Sequence, residues 1–286
     1  MTRPLALLSL LLAVAAPLHA QQPHLFDVHV HLHDGEKSLA EYLAKNAADK
    51  VTLDGAGIMW FGGGNQALAG NPAAIRAGND SILAIAAKNP SLMPIATVHP
   101  YDGDAALTEL TRVAALGIKV LKIHPHTQKF DAADPRVLTL VRRAGALNVI
   151  VLMDNAGIVP DDCEKLFNLA LDAPKTTFIF AHLGGFNFRF WNILAAARTA
   201  ENLFANNVYF DISAMASMIG GSPLATEYVW TLRNVGIDHV LFGSDYPQFS
   251  VKQNLDGLDK LDLTDQEKAA IRYENARRLF GLKTPR

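Results

Sequence analysis

With 286 residues, half of them apolar, the chain can fill one large core and has the length usual for a single α/β barrel, which leaves no room for a second full domain. A formal charge of -2 and a pI near 6.5, without any basic cluster, exclude a nucleic-acid or anionic-membrane footprint and leave a small molecule as the expected partner. The single cysteine, Cys163, excludes an internal disulfide, so stability must come from the core.

Residues 1–20 carry Arg3, the apolar run Leu5 to Pro17 and the small residue Ala20 before Gln21-Gln22. That is the layout of a cleaved secretory signal, with an apolar part too short for a membrane anchor, and it predicts a periplasmic or secreted protein whose working unit is 21–286. The next stretch, Phe26-Asp27-Val28-His29-Val30-His31-Leu32-His33, alternates apolar and polar and predicts a first strand. Asp27, His29, His31 and His33 are expected on one face. Residues i and i+2 on a strand face lie roughly 6 to 7 Å apart, so two imidazoles there can lean onto one divalent ion, although a merely wet polar face would alternate in the same way.

Helical periodicity follows over 36–49, then an apolar strand over 51–60 that ends in Phe61-Gly62-Gly63-Gly64. No Gly-Lys-Ser/Thr succeeds the glycines, so a turn is expected there and not a phosphate cradle. A helix over 72–88 leads to the run Leu92 to Val98, which ends at His99-Pro100. Asp104 is placed to cap a helix that Gly117 ends, and Ile118 to Ile123 runs through Lys122 into His124-Pro125. Asp134-Pro135 opens another helix, and Val149 to Met153 ends at Asp154. A helix over 161–171 precedes Thr176 to Ala181 and His182-Leu183-Gly184-Gly185. A further helix is expected over 190–200 before Val208 to Ile212. The last helical stretch before the eighth run covers 225–235, and His239 to Phe242 enters Gly243-Ser244-Asp245-Tyr246-Pro247. Thr264-Asp265-Gln266-Glu267 is a capping box for a final helix that Gly281 ends.

Eight apolar runs thus alternate with helical patterns, which is the layout of a (β/α)8 barrel. An open doubly wound sheet would need a glycine-rich dinucleotide turn where His29-Val30-His31 stands. Barrel active sites form at the C-terminal ends of the strands. Those ends here offer His29 and His31, His99, Lys122 with His124, Asp154, His182 and Asp245. His99 and His124, each before a proline, also suit loop caps, and Lys122 could snorkel at the rim.

The chain resembles the amidohydrolase superfamily, specifically its amidohydrolase-related branch. The likeness rests on Asp27-Val28-His29-Val30-His31, on Gly117-Ile118-Lys119 through Lys122-Ile123-His124-Pro125, on Ala181-His182-Leu183-Gly184-Gly185, on Phe242-Gly243-Ser244-Asp245-Tyr246-Pro247 and on Asn275-Ala276-Arg277-Arg278-Leu279-Phe280-Gly281. It spans residues 25 to 283. The resemblance implies a distorted (β/α)8 barrel with a divalent metal, zinc first and manganese as the alternative, held by His29, His31 and Asp245. It implies that Asp245 also handles a proton and that His182 contacts substrate or a second ion. The branch usually ends its fifth strand in a metal-binding histidine. Asp154 stands at that position and is carried over as a ligand, where a carboxylate hardens the site toward oxygen-loving ions. Lys122 and His124 are implied as substrate contacts, and binuclear relatives carbamylate such a lysine.

The expected activity is hydrolysis of a small lactone, cyclic amide or ester bearing a carboxylate, with Asp245 as general base and acid and His182 beside the developing oxyanion. Nonoxidative decarboxylation of an aromatic or muconate-type acid uses the same ligands and is the alternative, and a noncatalytic exported binding protein is the reading from another class. A homo-oligomer is left open. The aromatic stretch Phe186-Asn187-Phe188-Arg189-Phe190-Trp191 is expected to wall the pocket, a subunit contact or an ordinary helix.

Overall fold

The computed structural model describes residues 24–283, so the secretory signal expected over 1–20 lies outside the described residues. Eight parallel strands stand in chain order: β1 (Phe26–His31), β2 (Gly55–Met59), β3 (Leu92–Thr97), β4 (Val120–Ile123), β5 (Ile150–Met153), β6 (Phe178–Phe180), β7 (Val208–Asp211) and β8 (Val240–Leu241). The ring closes through backbone bonds from Val28 N to Phe242 O (3.0 Å), Asp245 N to His29 O (2.9 Å) and His31 N to Tyr246 O (2.9 Å). The helices alternate with the strands and form an outer layer, as in a TIM barrel. Among the described residues no helix is long and apolar enough to cross a membrane.

Strands buried on both faces read as near-continuous apolar runs, and here each face belongs to a different core. Val28, Ile95, Val120, Leu152, Ile179 and Leu241 fill the barrel interior, corked below by Tyr273, Ala276 and Phe280 of the last helical segment. The other face of the same strands, with Ile58, Leu121, Val151 and Phe210, packs on the helices. The period of two then explains the site. Lys122 lies two residues beyond Val120, and Asp154 two beyond Leu152, so each polar group emerges one step above an interior apolar residue, at the mouth.

β1 departs from the strict alternation expected for 26–33. Its register with β2 shifts between Asp27 and Val30. Phe26 and Val28 therefore pack in the interior, whereas Val30 and Leu32 pack in the outer core. The irregularity separates Asp27 from the histidines, because a bulge re-aims the side chains beyond it. Asp27 accepts from Tyr42 OH (2.8 Å) on the helix Glu36–Ala48, while His29 and His31 line the cavity.

Other local readings hold or shift for identifiable reasons. Asp134 accepts from Arg136 N, and the Thr264–Glu267 capping box is complete. Gly117 and Gly281 take left-handed φ values of 93° and 63° past their helices. The helix expected to be capped by Asp104 has Gly103 at the cap instead, with Asp104 in the first turn, where its charge still favours the helix dipole. The helix expected over 190–200 is replaced by tight turns over Ala181–Asn192 and a short helix Ile193–Ala197. His182, Leu183, Gly184 and Gly185 all have positive φ there, and a Cβ on Gly185 would sit 2.1 Å from Ala156 O. That close approach of two loops fixes where His182 points.

Candidate metal centre

The C-terminal ends of the strands open into a cavity of about 750 Å³, within the range of small-molecule sites. His29, His31, Lys122, His124, Asp154, His182 and Asp245 all line it, so the expected ligands and substrate contacts reach one space. His99 does not. Its Nδ1 accepts from Tyr101 N (3.0 Å) and its Nε2 donates to Gln128 O (2.7 Å), which makes it a buried loop cap.

His29 Nε2 and His31 Nε2 lie 3.2 Å apart, and Asp245 Oδ1 lies 3.5 and 3.4 Å from them. The far nitrogens of the two rings decide the chemistry between these atoms. His31 Nδ1 is 2.5 Å from Phe61 O, a carbonyl that can only accept, so Nδ1 carries the proton. His29 Nδ1 is 3.0 Å from Asp211 Oδ2 and likewise donates. In the neutral rings both Nε2 atoms then present lone pairs to each other and to a carboxylate. His29 is neutral at physiological pH, since burial and the positive charge of Lys122 push its pKa down to about 4. Asp245 is ionised. Burial works to raise its pKa, but His31, His29 and His182 hold it at about 2.

Either a proton on His31 or a cation must occupy the space among three such acceptors, and a divalent ion satisfies all three at once. With metal–ligand bonds of about 2.0–2.2 Å, neighbouring atoms of a tetrahedral set lie roughly 3.3–3.6 Å apart. The observed separations fit that set. His182 stands beside this set, its nearest ring nitrogen within 4.8 Å of the ligand atoms of His29 and Asp245. Lys122 Nζ, buried 3.3 Å from His29 Nε2, is placed to donate to that lone pair when no ion is bound.

Three supports of this group were not among the expected site residues. Asp211, at the end of β7 and fully buried, holds His29 through Oδ2 and the Ser213 hydroxyl and the His182 amide through Oδ1. An acid inside an otherwise apolar strand is the signal that could have found it, because a buried carboxylate demands partners. Asp27 accepts from Ser244 N (2.8 Å) and Ser244 Oγ (2.6 Å), which ties the segment bearing Asp245 to β1. Burial raises the pKa of Asp27 to about 6. The glycine run is the third support. Gly62 has φ 125°, and a Cβ there would sit 2.5 Å from His31 Nδ1, so only glycine lets the Phe61 carbonyl reach that ring.

A second group adjoins the first through His182. Asp154 Oδ1 is 3.2 Å from His182 Nε2 and 3.4 Å from His124 Nε2. Here the far nitrogens reverse the assignment for His124, whose Nδ1 accepts from Thr127 N and leaves the proton on Nε2. Burial and Lys122 push its pKa down to about 3 against the pull of Asp154, so it is neutral. His182 Nδ1 donates to Ser213 O (3.1 Å), and its Nε2 donates to Asp154. Burial opposes a charge on His182, but Asp154, Asp245 and Asp211 outweigh it and hold its pKa up at about 9. Burial likewise works against ionisation of Asp154, yet His124, His182 and Lys122 hold its carboxyl well below the usual range. In this geometry the Asp154 carboxylate is engaged by two N–H donors.

The family model described as amidohydrolase matches residues 26–282. The chain belongs to the amidohydrolase family. No curated protein matches it. A protein of Staphylococcus aureus described as an amidohydrolase is 21% identical with a TM-score of 0.69, covering 91% of this chain and 99% of that chain. The 5-carboxyvanillate decarboxylase of Sphingomonas paucimobilis is 16% identical, TM-score 0.70, over 92% of this chain and 100% of that one. A dihydroxybenzoic acid decarboxylase of Polaromonas, solved with bound manganese and 2-nitroresorcinol, is 15% identical, TM-score 0.67, over 92% and 98%. At these identities the solved structures establish the barrel. Family membership and the His-His-Asp donor set together support a divalent metal in this amidohydrolase.

Proposed function

We propose that this chain is an exported metal-dependent hydrolase that opens a small lactone, cyclic amide or ester bearing a carboxylate. His29, His31 and Asp245 would hold the ion, zinc first and manganese second. The observation that carries the reading is the convergence of three acceptors whose far sides are committed to Phe61 O, Asp211 and a backbone bond to β1. A bound divalent ion supplies Lewis acidity and an acidified water.

The chain's own residues supply the rest. Asp245, ionised at neutral pH, is placed to take the proton of the attacking water and to pass it on. His182 faces the same space, where its Nε2–H, shared with Asp154, is placed to stabilise negative charge developing on the substrate oxygen and to protonate the leaving group. Asp154 keeps that proton on His182, and its role as a further ligand would require giving up this ion pair. Lys122 and His124 flank the substrate. Export is proposed from residues 1–20 alone.

A second reading is favoured by the stored proton on His182. Decarboxylation needs an acid beside the carbon that loses carbon dioxide, and two of the similar structures are decarboxylases. Incubating the metal-loaded protein with a lactone panel and an aromatic-acid panel, while following acid release against carbon dioxide, separates the two. Acid release that chelation abolishes is the expected result. Carbon dioxide release would transfer the assignment to the second reading. Binding with no turnover on either panel would make the chain a noncatalytic binding protein.

A further inference from the structure

The cavity has two unlike walls. The loop after β4 carries His126 and Lys129, both exposed, beside Lys122 and His124. The only carboxylates lining the cavity among the described residues are Asp154 and Asp245, each facing histidines. The loops after β5, β6 and β7 instead present Ile158, Phe186 and Met218, exposed by 66, 59 and 42%. Of the eight large apolar side chains exposed among the described residues, three therefore rim this one opening. Such clustering marks an apolar ligand surface, because lone exposed apolar residues scatter.

We infer that the cavity is shaped for an amphiphilic anion, a substrate whose carboxylate docks at His126 and Lys129 and whose apolar body runs out over Ile158, Phe186 and Met218. This deepens the proposed function and rests on it for the cavity being the substrate site. Charge complementarity selects the anion. Continuity of the apolar rim with the cavity selects a single molecule that spans both, and a volume of about 750 Å³ leaves much of the space unfilled by a bare small lactone.

The test uses binding, not turnover. Dissociation constants of straight-chain monocarboxylates of increasing length, and of the matching primary alcohols, are measured by calorimetry on the metal-free protein. The expected result is tightening of about two- to fourfold per added methylene, with acids at least about tenfold tighter than alcohols. The triple variant Ile158→Ser, Phe186→Ser, Met218→Ser should flatten the length dependence, and His126→Gln with Lys129→Gln should erase the gap between acids and alcohols. All five side chains are exposed, and unchanged thermal melting confirms that the variants fold. A flat length series in the unaltered protein, or a slope that survives the triple variant, overturns the inference. So does light scattering that shows a dimer broken by the triple variant, with the slope intact, since the rim would then be covered by a second copy. Loss of turnover on every panel with the slope intact sinks the hydrolase reading and leaves this one standing.

Discussion

Two His-His-Asp groups lie side by side in one cavity, with neighbouring ligand atoms 3.2 to 3.5 Å apart in both, and they are chemically opposite. Around Asp245 the imidazoles turn lone pairs inward. Around Asp154 they turn protons inward. Nothing in the near geometry separates the two; His31 and His29 give their far protons to a carbonyl and a carboxylate, His124 accepts there from an amide N–H, and His182, which also donates to a carbonyl, carries a second proton that Asp154 holds. One group is built to receive a cation and the other already holds a positive charge on His182.

The largest test of this contrast is ligand removal. His31→Ala or Asp245→Asn should drop the metal content of the purified protein below about a tenth of an ion per chain, with activity following it, as elemental analysis and a rate assay would show. Asp154→Asn should do the reverse: metal content stays at the unaltered level while kcat falls by about 10²- to 10⁴-fold, the scale of losing a positioned acid. Metal lost together with activity in Asp154→Asn would merge the two groups into one centre. Smaller effects are expected from the supports. Asp211→Asn should weaken metal binding by about 10- to 100-fold in a chelator competition, because His29 loses the acceptor that fixes its tautomer. Gly62→Ala should weaken it in the same assay, through a left-handed φ and a methyl driven into His31.

The finest test is titration of the metal-free protein. By NMR, His182 should stay charged up to about pH 9 and His29 neutral down to about pH 4. Because the folded protein holds the His182 pKa above its ordinary value of 6.5, the charge contributes fully to stability below that pH, and the contribution is lost as pH rises from there through about 9. Denaturant melts across that window should show the decline, and Asp154→Asn should flatten it.

Much of this was legible in the letters because apolar runs report burial directly, and all eight strands fall within or beside the runs that predicted them. His29, His31, Lys122, His124, Asp154, His182 and Asp245 were legible for a related reason: each stands at or just past the end of an apolar run, where the chain leaves the barrel. The shift of register in β1 was not legible, since Phe26 to His33 alternates without a break in sequence and only pairing with β2 exposes it. The Phe61 carbonyl that fixes His31 has no letter at all, because every residue carries a carbonyl. Gly62 read as a turn, although it is glycine for the sake of a ring 31 positions earlier in the chain. Asp211 showed in the letters only as an acid within the apolar run Val208 to Ile212, and its role needs His29 and His182 on either side of it.

The stitching of β1 to the segment after β8 bears on the order in which the molecule can assemble. Asp27 and Ser244 are 217 positions apart, so a ribosome must deliver nearly the entire chain before the first strand finds its second neighbour. Until then the two imidazoles hang on an open edge with no carboxylate opposite. Occupancy by an ion accordingly reports that synthesis has run its course and that the ring has shut.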